Sequence, residues 1–388
     1  ASKDFQFVVY GDTRGNSIFQ PSGRPEHEAE VKAILAHDAS ASFLVHTGDV
    51  ALNMPLVSGP DRGYGEFFDV ERALLAGRPI FTDFGNHESY DTAFFDGLMN
   101  APSFAGAPHP HYFSMDWGRV HIAFLDSFEG KQNWLKGGER DPLLTDVQAT
   151  WLDGDLAKAH AAGKLLFVVS HQGAFSYGKD LLTTHGGSPD VQKKVIPLMI
   201  KYGVLGIFAG HDHYYERGHE ACIDYLVVGS GGANMHDPDT SHAGVIAGLG
   251  SPAYLVVTVK QGVATGEAKD ATGKVFDSFT FQPAACASQG PDGAIPDVGA
   301  EDRGVPDGGV LDQSAGEGPS PDDGGADGAS VQGDRGVRDV GVAAPGPGGG
   351  CDCRFDAEGE DASALGGWLF FGLLGLLVRA TRRRRSDD

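Results

Sequence analysis

The chain has few cysteines and few positive charges. Four cysteines occur among 388 residues, too few for a disulfide-rich scaffold: Cys222, Cys286, Cys351 and Cys353. Pairing of Cys222 with Cys286 in an oxidising compartment and a buried free Cys222 beside an exposed Cys286 fit the sequence equally well. Lysine and arginine number 30 against 53 aspartates and glutamates, a formal net charge of -23. Since neutralising a nucleic-acid backbone needs clustered lysine and arginine, no nucleic-acid partner is expected.

Aromatic residues are nearly absent from residues 283–350, where aspartate, glycine, proline and alanine dominate. Such a composition cannot fill a core, so this stretch is predicted to be a disordered linker. Apolar residues make up 41% of the whole chain, enough for a sizeable core. Residues 1–282 show no internal repeat and are predicted to form the folded domain.

Strand-like and helix-like segments alternate along residues 1–282. Five short apolar runs have the composition of strands buried on both faces: Phe5–Tyr10, Phe43–Thr47, Pro79–Phe84, Lys164–Ser170 and Val204–Ala209. Helix-like stretches lie between them: Glu26–Asp38, Gly65–Ala76, Asp146–Ala161 and Asp190–Tyr202. A further group has the texture of antiparallel strands: Tyr112–Asp116, Val120–Asp126, Tyr225–Gly229, Tyr254–Val259 and Phe276–Phe281. Alternating strands and helices predict a mainly parallel sheet covered on both sides, and the antiparallel strands either extend that sheet or build another. An α/β fold, a four-layer α/β/β/α sandwich of two mixed sheets flanked by helices, accommodates both groups.

Each of the five apolar runs is followed by a side chain of the type that binds metal ions. The residues in chain order are Asp12, Asp49, Asn86 with His87, His171, and His211 with His213. Because open α/β sheets bind ligands at the carboxyl ends of their parallel strands, we expect all five loops to lie along one edge of one sheet. Oxygen and imidazole ligands without thiolate suit zinc, manganese, iron or similar ions.

The order Gly-Asp, Gly-Asp, Gly-Asn-His-Glu, a strand-final His and Gly-His-x-His resembles the calcineurin-like metallophosphoesterases over about residues 5–282. The segment Gly210–Arg217 and the hairpin Tyr112–Ser127 are most similar to the purple acid phosphatase branch. The resemblance implies that residues 1–282 are a metallophosphoesterase catalytic domain. Its expected substrates are phosphorylated small molecules or other phosphate monoesters and diesters.

The same resemblance implies a pair of divalent or trivalent metal ions. Asp49 would bridge them, Asp12 and His213 would bind the first ion, and Asn86, His171 and His211 would bind the second. Two such ions about 3.5–4 Å apart can clamp both oxygens of a phosphoryl displacement and supply a bridging hydroxide.

Two positions depart from the family pattern. Arg14 stands where many members have a histidine, and Leu52 where purple acid phosphatases have a tyrosine ligand. Asn53, Asn16 or water is left as the fourth ligand of the first ion. Arg14 has two interpretations: it binds substrate phosphate in bidentate fashion, or it pairs with an acidic neighbour such as Glu88.

Further histidines surround the expected centre. By resemblance, His87 lies near the leaving-group oxygen as an acid or a charge stabiliser, and His185 faces the substrate. Asp83, Glu88 and Asp212 are expected to orient metal-binding imidazoles rather than to take part in catalysis. The remaining candidates are expected to be packing residues: His46, His121 and His219.

Residues 351–388 form a distinctive tail. The apolar run Ala364–Val378 would span about 22 Å as a helix, short of the roughly 30 Å hydrocarbon core. A Cys-containing motif before it and the arginines Arg382–Arg385 after it resemble the C-terminal sorting tails of myxobacterial surface proteins. The tail therefore predicts a protein tethered to the membrane at the cell surface. The alternative is an inner-membrane anchor with the folded domain facing the periplasm.

The chain starts at Ala1 without an apolar leader, which fits removal of a signal peptide from an exported protein. The departure at Arg14 keeps one other function open. In that alternative the chain is a non-catalytic surface protein whose degenerate site binds metal or phosphate without turnover.

Overall fold

A computed structural model describes residues 4–15, 23–53, 61–99, 111–129, 143–180 and 184–286. Its strands are β1 Phe5–Tyr10, β2 Phe43–His46, β3 Ile80–Thr82, β4 Phe113–Trp117, β5 Val120–Leu125, β6 Leu165–Ser170, β7 Gly206–Ala209, β8 Tyr215–Glu220, β9 Ile223–Val228, β10 Val245–Leu249, β11 Ala253–Lys260, β12 Val263–Asp270 and β13 Val275–Thr280. Its helices are α1 Arg24–His37, α2 Tyr64–Leu75, α3 Thr92–Leu98, α4 Asp146–Ala161, α5 Pro189–Lys194 and α6 Ile196–Tyr202, with a short 3-10 turn at Glu88–Tyr90.

The strands form two mixed sheets. The first has six strands in the order β13-β12-β11-β1-β2-β3, and the second has seven in the order β10-β8-β9-β7-β6-β5-β4. Parallel pairs join β1 to β2 and β2 to β3 in the first sheet. In the second sheet they join β5, β6, β7 and β9. The predicted sandwich of two mixed sheets flanked by helices is confirmed.

Aromatic and branched side chains fill the space between the sheets. Phe7 and Phe43 of the first sheet are fully buried, as are Phe167 and Phe208 of the second. Phe7 meets Phe167 edge to face, with ring centroids 6.1 Å apart. Burial of one such side chain contributes about 2 kcal/mol. A separate apolar cluster joins the second sheet to α4, α5 and α6, and another joins the first sheet to α1 and α2.

Three strands that the sequence did not predict are β8, β10 and β12. Charged residues and glycines interrupt β8 and β12, which weakens the strand pattern, and β10 is a short edge strand. One predicted helix, Asp190–Tyr202, is two helices in the structure, α5 and α6. The break falls at Val195, two residues before Pro197, which has no N–H to donate to the carbonyl of the preceding turn.

Cys222 and Cys286 form a disulfide, which settles the two alternatives that the sequence left open. Cys222 and Ala221 both have positive φ in the tight turn between β8 and β9, and the bond attaches this turn to the last described residue. Just before it, the backbone N–H of Ala284 donates to Val204 at 2.9 Å. These contacts close the end of the domain onto the second sheet.

No helix within the described ranges has the length and apolar character needed to cross a membrane. The predicted tail, residues 351–388, and most of the predicted linker lie outside the described residues. Their membrane and sorting roles therefore stay predictions.

Candidate metal centre

The metal-type side chains converge between the two sheets. The loops after β1, β2 and β3 carry Asp12, Asp49 and Asn86, whereas those after β6 and β7 carry His171 and His211. The expectation that all five loops lie on one edge of one sheet is therefore wrong. Three strands belong to the first sheet and two to the second, and the carboxyl edges of both sheets meet at the site.

Four donor side chains form one close set. His171 Nε2 lies 3.3 Å from Asp49 Oδ1 and 3.2 Å from Asn86 Oδ1. His211 Nδ1 lies 3.0 Å from the same Asn86 oxygen. His171 Nδ1 is 2.7 Å from the carbonyl of Thr47, to which it donates, so Nε2 is the ring nitrogen that faces the other donors. One carboxylate, one amide oxygen and two imidazole nitrogens thus point at a common space, which fits a zinc, manganese or iron ion.

Asp12 lies close to both Asp49 and His171. It is fully buried, and its carboxylate oxygens each lie 3.1 Å from the backbone nitrogen of His211, whose N–H they accept. Asp12, Asp49 and His171 each offer a ligand atom within 4.8 Å of the others. His213 Nε2 lies 3.7 Å from Asp12 Oδ1.

The backbone at these ligands is strained. Asp12, Asp49 and His211 have φ values of 57°, 55° and 70°, a region that non-glycine residues rarely adopt. Such conformations persist where surrounding contacts over-determine them, and they concentrate at functional sites. Gly48 has φ +100°, and a Cβ there would lie 2.5 Å from His171 Nδ1, so only glycine permits this approach.

Burial and close packing shift the pKa values of the donors. Burial raises the pKa of Asp12 well above its ordinary value and lowers the pKa of His211 and His213. Burial also disfavours a charged His171, but the Asp49 and Asp12 carboxylates outweigh it and raise the His171 pKa to about 10. Burial raises the pKa of Asp49, but His171 and His87 outweigh it and hold that pKa well below its usual range. Because metal ligands bind deprotonated, a cation at these donors would release the His171 proton.

Arg14 lies across this side of the site. Its Nε donates to Asp49 Oδ2 at 3.1 Å, and its Nη2 donates to His213 Nε2 at 3.1 Å. His213 Nδ1 in turn donates to the carbonyl of Asn234 at 2.7 Å, which leaves Nε2 as the acceptor. Arg14 pairs with an acidic residue as one interpretation expected, but the partner is Asp49 and not Glu88.

Glu88 instead supports the backbone. Its carboxylate is fully buried and accepts N–H groups from Asp49 at 2.8 Å, Val50 at 2.9 Å and Gly85 at 2.8 Å. Burial and Asp49 raise its pKa to about 7. Nearby, the amide nitrogen of Asn53 lies 2.8 to 3.1 Å from three backbone carbonyls between residues 87 and 91. Asn53 therefore holds this loop, while the other proposed ligand, Asn16, lies outside the described residues.

His87 is buried beside Asp49. Its Nδ1 donates to the carbonyl of Leu52 at 2.7 Å, and its Nε2 lies 3.8 Å from Asp49 Oδ2. Burial, aided by Arg14, lowers the pKa of His87 to about 4. The ring is therefore neutral near pH 7, with the Nε2 lone pair turned toward the site.

Asp212 positions the loop that carries His185. Its carboxylate accepts the hydroxyl of Ser176 at 2.5 Å and the backbone N–H groups of His185 at 2.8 Å and Gly186 at 3.3 Å. The His185 ring then lies 4.1 Å from the ring of His211. The carboxylate thus orients a loop rather than a metal-binding imidazole.

His236 is a site residue that the sequence motifs did not predict. Its ring stacks on His213 with centroids 5.1 Å apart, and its N–H donates to the His213 carbonyl at 3.1 Å. It lies in the loop after β9, which pairs in parallel with β7. The glycines Gly229, Gly231 and Gly232 mark the end of this strand, so the strand-end pattern used for the other loops could have found it.

The remaining histidines have other roles. His46 Nδ1 accepts the N–H of Gly48 at 3.2 Å, and its Nε2 lies 3.0 Å from the hydroxyl of Thr13, so it supports the loops on which Asp12 and Asp49 lie. His121 lies 2.8 Å from both Asp116 and Asp155 at the opposite end of its sheet. His219 is half exposed and pairs with Asp224 at 2.7 Å.

Known proteins share this architecture. A family model described as calcineurin-like phosphoesterase matches residues 5–215. Tartrate-resistant acid phosphatase type 5 of Oryctolagus cuniculus is 31% identical over 294 residues, which cover 68% of this chain and 87% of that protein. A purple acid phosphatase from yellow lupin seeds superposes with a TM-score of 0.57 at 18% identity, over 75% of this chain and 57% of the lupin chain. A dimetal phosphatase from Danio rerio superposes with a TM-score of 0.52 at 12% identity, over 72% and 99% of the chains. At such identities the two structures share the fold alone.

Proposed function

The chain belongs to the calcineurin-like phosphoesterase family, as its motifs predicted, and on that premise we propose that it hydrolyses phosphate monoesters or diesters with bound metal. The observation that carries the proposal is the convergence of Asp49, Asn86, His171 and His211 from both sheets. A metal ion at these donors supplies Lewis acidity toward a phosphoryl oxygen and makes a coordinated water more acidic.

The first of the two ions implied by the family resemblance meets an obstacle. Its donors would be Asp12, Asp49 and His213, and the Arg14 guanidinium lies between Asp49 and His213. While the arginine keeps this position, these residues do not fit an ion. The proposed reaction therefore needs only the four donors Asp49, Asn86, His171 and His211.

Arg14 is proposed to bind the substrate phosphate. A guanidinium carries more N–H groups than Asp49 and His213 engage, and its planar fork matches phosphate oxygens. The Arg14 side chain is 16% exposed, so it is held in place yet reachable from solvent. His185 and His236 flank the metal-ligand histidines and are proposed to line the substrate entrance.

His87 is proposed to face the leaving-group oxygen. Its neutral ring has Nδ1–H bound by Leu52, so Nε2 is the atom available to the site. An anionic phosphate placed beside it favours the protonated ring. His87 is then able to donate that proton to the leaving oxygen.

The direct test is turnover of nitrophenyl phosphate and its bis ester by the full chain with zinc, manganese or iron. Release of nitrophenol that depends on added metal, and that Asn86→Ala or His171→Ala abolishes, supports the proposal. His219→Ala serves as the matched control, because this exposed histidine pairs only with Asp224 among the described residues. No turnover of either ester with any of the metals would overturn it.

The position of Arg14 also favours a second candidate function. The Arg14 guanidinium occupies lone pairs of Asp49 and His213 that would otherwise bind a metal ion. An incomplete metal centre of this kind suits a surface protein that binds metal or phosphate without hydrolysing esters. The nitrophenyl ester assay separates the two candidate functions. The non-catalytic protein would bind metal or phosphate but release no nitrophenol.

We further propose that the protein is exported and tethered by its C-terminal tail. The disulfide between Cys222 and Cys286 supports this proposal, because disulfides persist in oxidising compartments. Mass spectrometry of the mature C-terminus separates the two predicted anchors. Loss of residues 382–385 supports surface sorting, and their retention in a membrane fraction supports an inner-membrane anchor.

A further inference from the structure

Arg14 stands in for a metal ion in the half of the site formed by Asp12, Asp49 and His213. Its guanidinium donates to Asp49 Oδ2 and to His213 Nε2, both at 3.1 Å. These are two of the atoms that would hold the first ion of a metal pair. A single side chain therefore takes up lone pairs on two of the three donors.

The third donor is engaged as well. Both oxygens of Asp12 accept the backbone N–H of His211 at 3.1 Å, and Asp12 Oδ1 remains 3.7 Å from His213 Nε2. Among the described residues, the cluster of acidic and histidine ligand atoms found within 4.8 Å of one another contains Asp12, Asp49 and His171, and extends to neither His211 nor His213. The guanidinium therefore lies between His213 and Asp49, whereas His213 stays beside Asp12.

The two oxygens of Asp49 divide the site. Oδ2 faces Arg14, whereas Oδ1 lies 3.3 Å from His171 Nε2 and 3.0 Å from the backbone nitrogen of His87. On the Oδ1 side, Asn86 and His211 complete the set of four donors, and neither hydrogen-bonds to Arg14. One half of the site is thus free of the guanidinium, and the other half is built around it.

Several contacts keep the arginine there. The Arg14 backbone N–H donates to the Asp49 carbonyl at 3.1 Å, and the hydroxyl of neighbouring Thr13 donates to Val50 at 3.0 Å. A guanidinium keeps its charge at any physiological pH and repels a second cation placed against it. Leu52, which is buried, offers no donor at the position of the family tyrosine that would help a metal ion to compete.

We propose that this centre holds a single metal ion, at Asp49, Asn86, His171 and His211, and that Arg14 supplies the positive charge of the other half. The ion count rests on the proposed metal binding but not on turnover. In the hydrolytic reaction, Arg14 would supply the positive charge toward the substrate phosphate that a second ion would otherwise supply.

The test is the metal content of the full chain after loading with excess manganese or zinc and removal of unbound metal. The expected result is one ion per chain for the unaltered protein. Arg14→His removes the guanidinium and adds an imidazole, so two ions per chain are expected, and the manganese paramagnetic resonance spectrum should change from an isolated ion to a coupled pair. Arg14→Lys is the matched control, because it keeps the positive charge and should stay at one ion.

Each outcome bears on the proposal separately from activity. Two ions in the unaltered chain would overturn it, and no bound ion would overturn the metal-binding premise. One ion in both the unaltered chain and a folded Arg14→His variant would refute the role given to Arg14. If Arg14→His fails to fold by circular dichroism, Arg14→Gly takes its place. Ester turnover with one bound ion supports both the hydrolytic function and the single-ion centre. One bound ion without turnover supports the single-ion centre alone.

Discussion

The Glu88 carboxylate accepts the backbone N–H of Asp49 at 2.8 Å, while its second oxygen accepts that of Val50 at 2.9 Å. It also accepts the N–H of Gly85 from the next loop at 2.8 Å. One buried side chain therefore locks together the loops after β2 and β3. The spacing between Asp49 and Asn86 depends on this lock.

Removal of this carboxylate should weaken metal binding and stability together. Glu88→Ala leaves three backbone N–H groups without their acceptor, and each buried unsatisfied group costs about 1–3 kcal/mol. We expect a lower midpoint of urea unfolding and a metal affinity reduced about 10- to 100-fold. Glu267→Ala, an exposed glutamate of β12, is the control and should change neither. An unchanged metal affinity in a folded Glu88→Ala chain would contradict this positioning role.

His87→Ala should slow the reaction in a way that depends on the leaving group. If His87 protonates the leaving oxygen, its loss should lower kcat about 100-fold for an alkyl phosphate, which has a poor leaving group. Nitrophenyl phosphate needs little protonation, so its kcat should fall much less. The ratio of the two kcat values is the measurement. An equal loss for both esters would show that His87 acts on loop position instead.

Glu216 should make stability depend on pH. Burial raises its pKa to about 8, well above the ordinary value of 4.5. Folding therefore favours the protonated acid, so its contribution is complete below pH 4.5 and disappears as pH rises through 8. We expect the free energy of unfolding to fall by roughly 3 kcal/mol between pH 5 and pH 8 because of this group. The free energy of unfolding of Glu216→Gln, measured with urea across the same pH range, should lack that decrease. If the variant and the unaltered chain lose stability in parallel, Glu216 is not the source of the decrease.

The disulfide should stabilise the domain without affecting catalysis. It closes a loop between residues 64 positions apart, a length for which cross-linking contributes about 2–4 kcal/mol. Cys222→Ser with Cys286→Ser should therefore lower the melting temperature and leave kcat unchanged at 25 °C. A reducing agent should lower the melting temperature of the unaltered chain and leave that of the double variant where it is. A large fall in kcat of the folded double variant would contradict the separation of this bond from the site.

Local pattern predicted the parts of the site that depend on neighbours in sequence. Each ligand lies within four residues of the end of an apolar strand, so Asp12, Asp49, Asn86, His171 and His211 were recognisable from the strand ends alone. The spacing of Thr145 and Gln148 is also a local pattern typical of a helix N-terminus, and the structure shows the Thr145 hydroxyl accepting the backbone N–H of Gln148 at 3.3 Å. The Gln148 side chain does not return to Thr145; it accepts the backbone N–H of Asp126 and donates to the Asp126 carbonyl.

Arg217 shows where local pattern stops. It belongs to the segment that resembles purple acid phosphatases, yet its side chain pairs with Asp277 and not with a metal-type donor of the site. It forms a bidentate pair with Asp277 of β13 at 2.7 and 2.8 Å, which Tyr215 joins at 2.9 Å. A motif identifies the residue at a position, but it does not identify the partner of that residue. Here the partner, Asp277, lies 60 residues later in the chain.

The amino-acid order alone therefore predicted the two-sheet architecture and the identity of the metal-type side chains, because strand periodicity and strand-end chemistry are local properties, and the resemblance of its motifs indicated the family. The tertiary structure alone decided which sheet carries each ligand, that Cys222 meets Cys286, and that His236 joins the site. It also placed Arg14 against His213, which lies 199 residues away in the chain. Such contacts arise from the packing of distant segments, and no short-range pattern in the chain encodes the distance between two side chains that meet only after the sheets have paired.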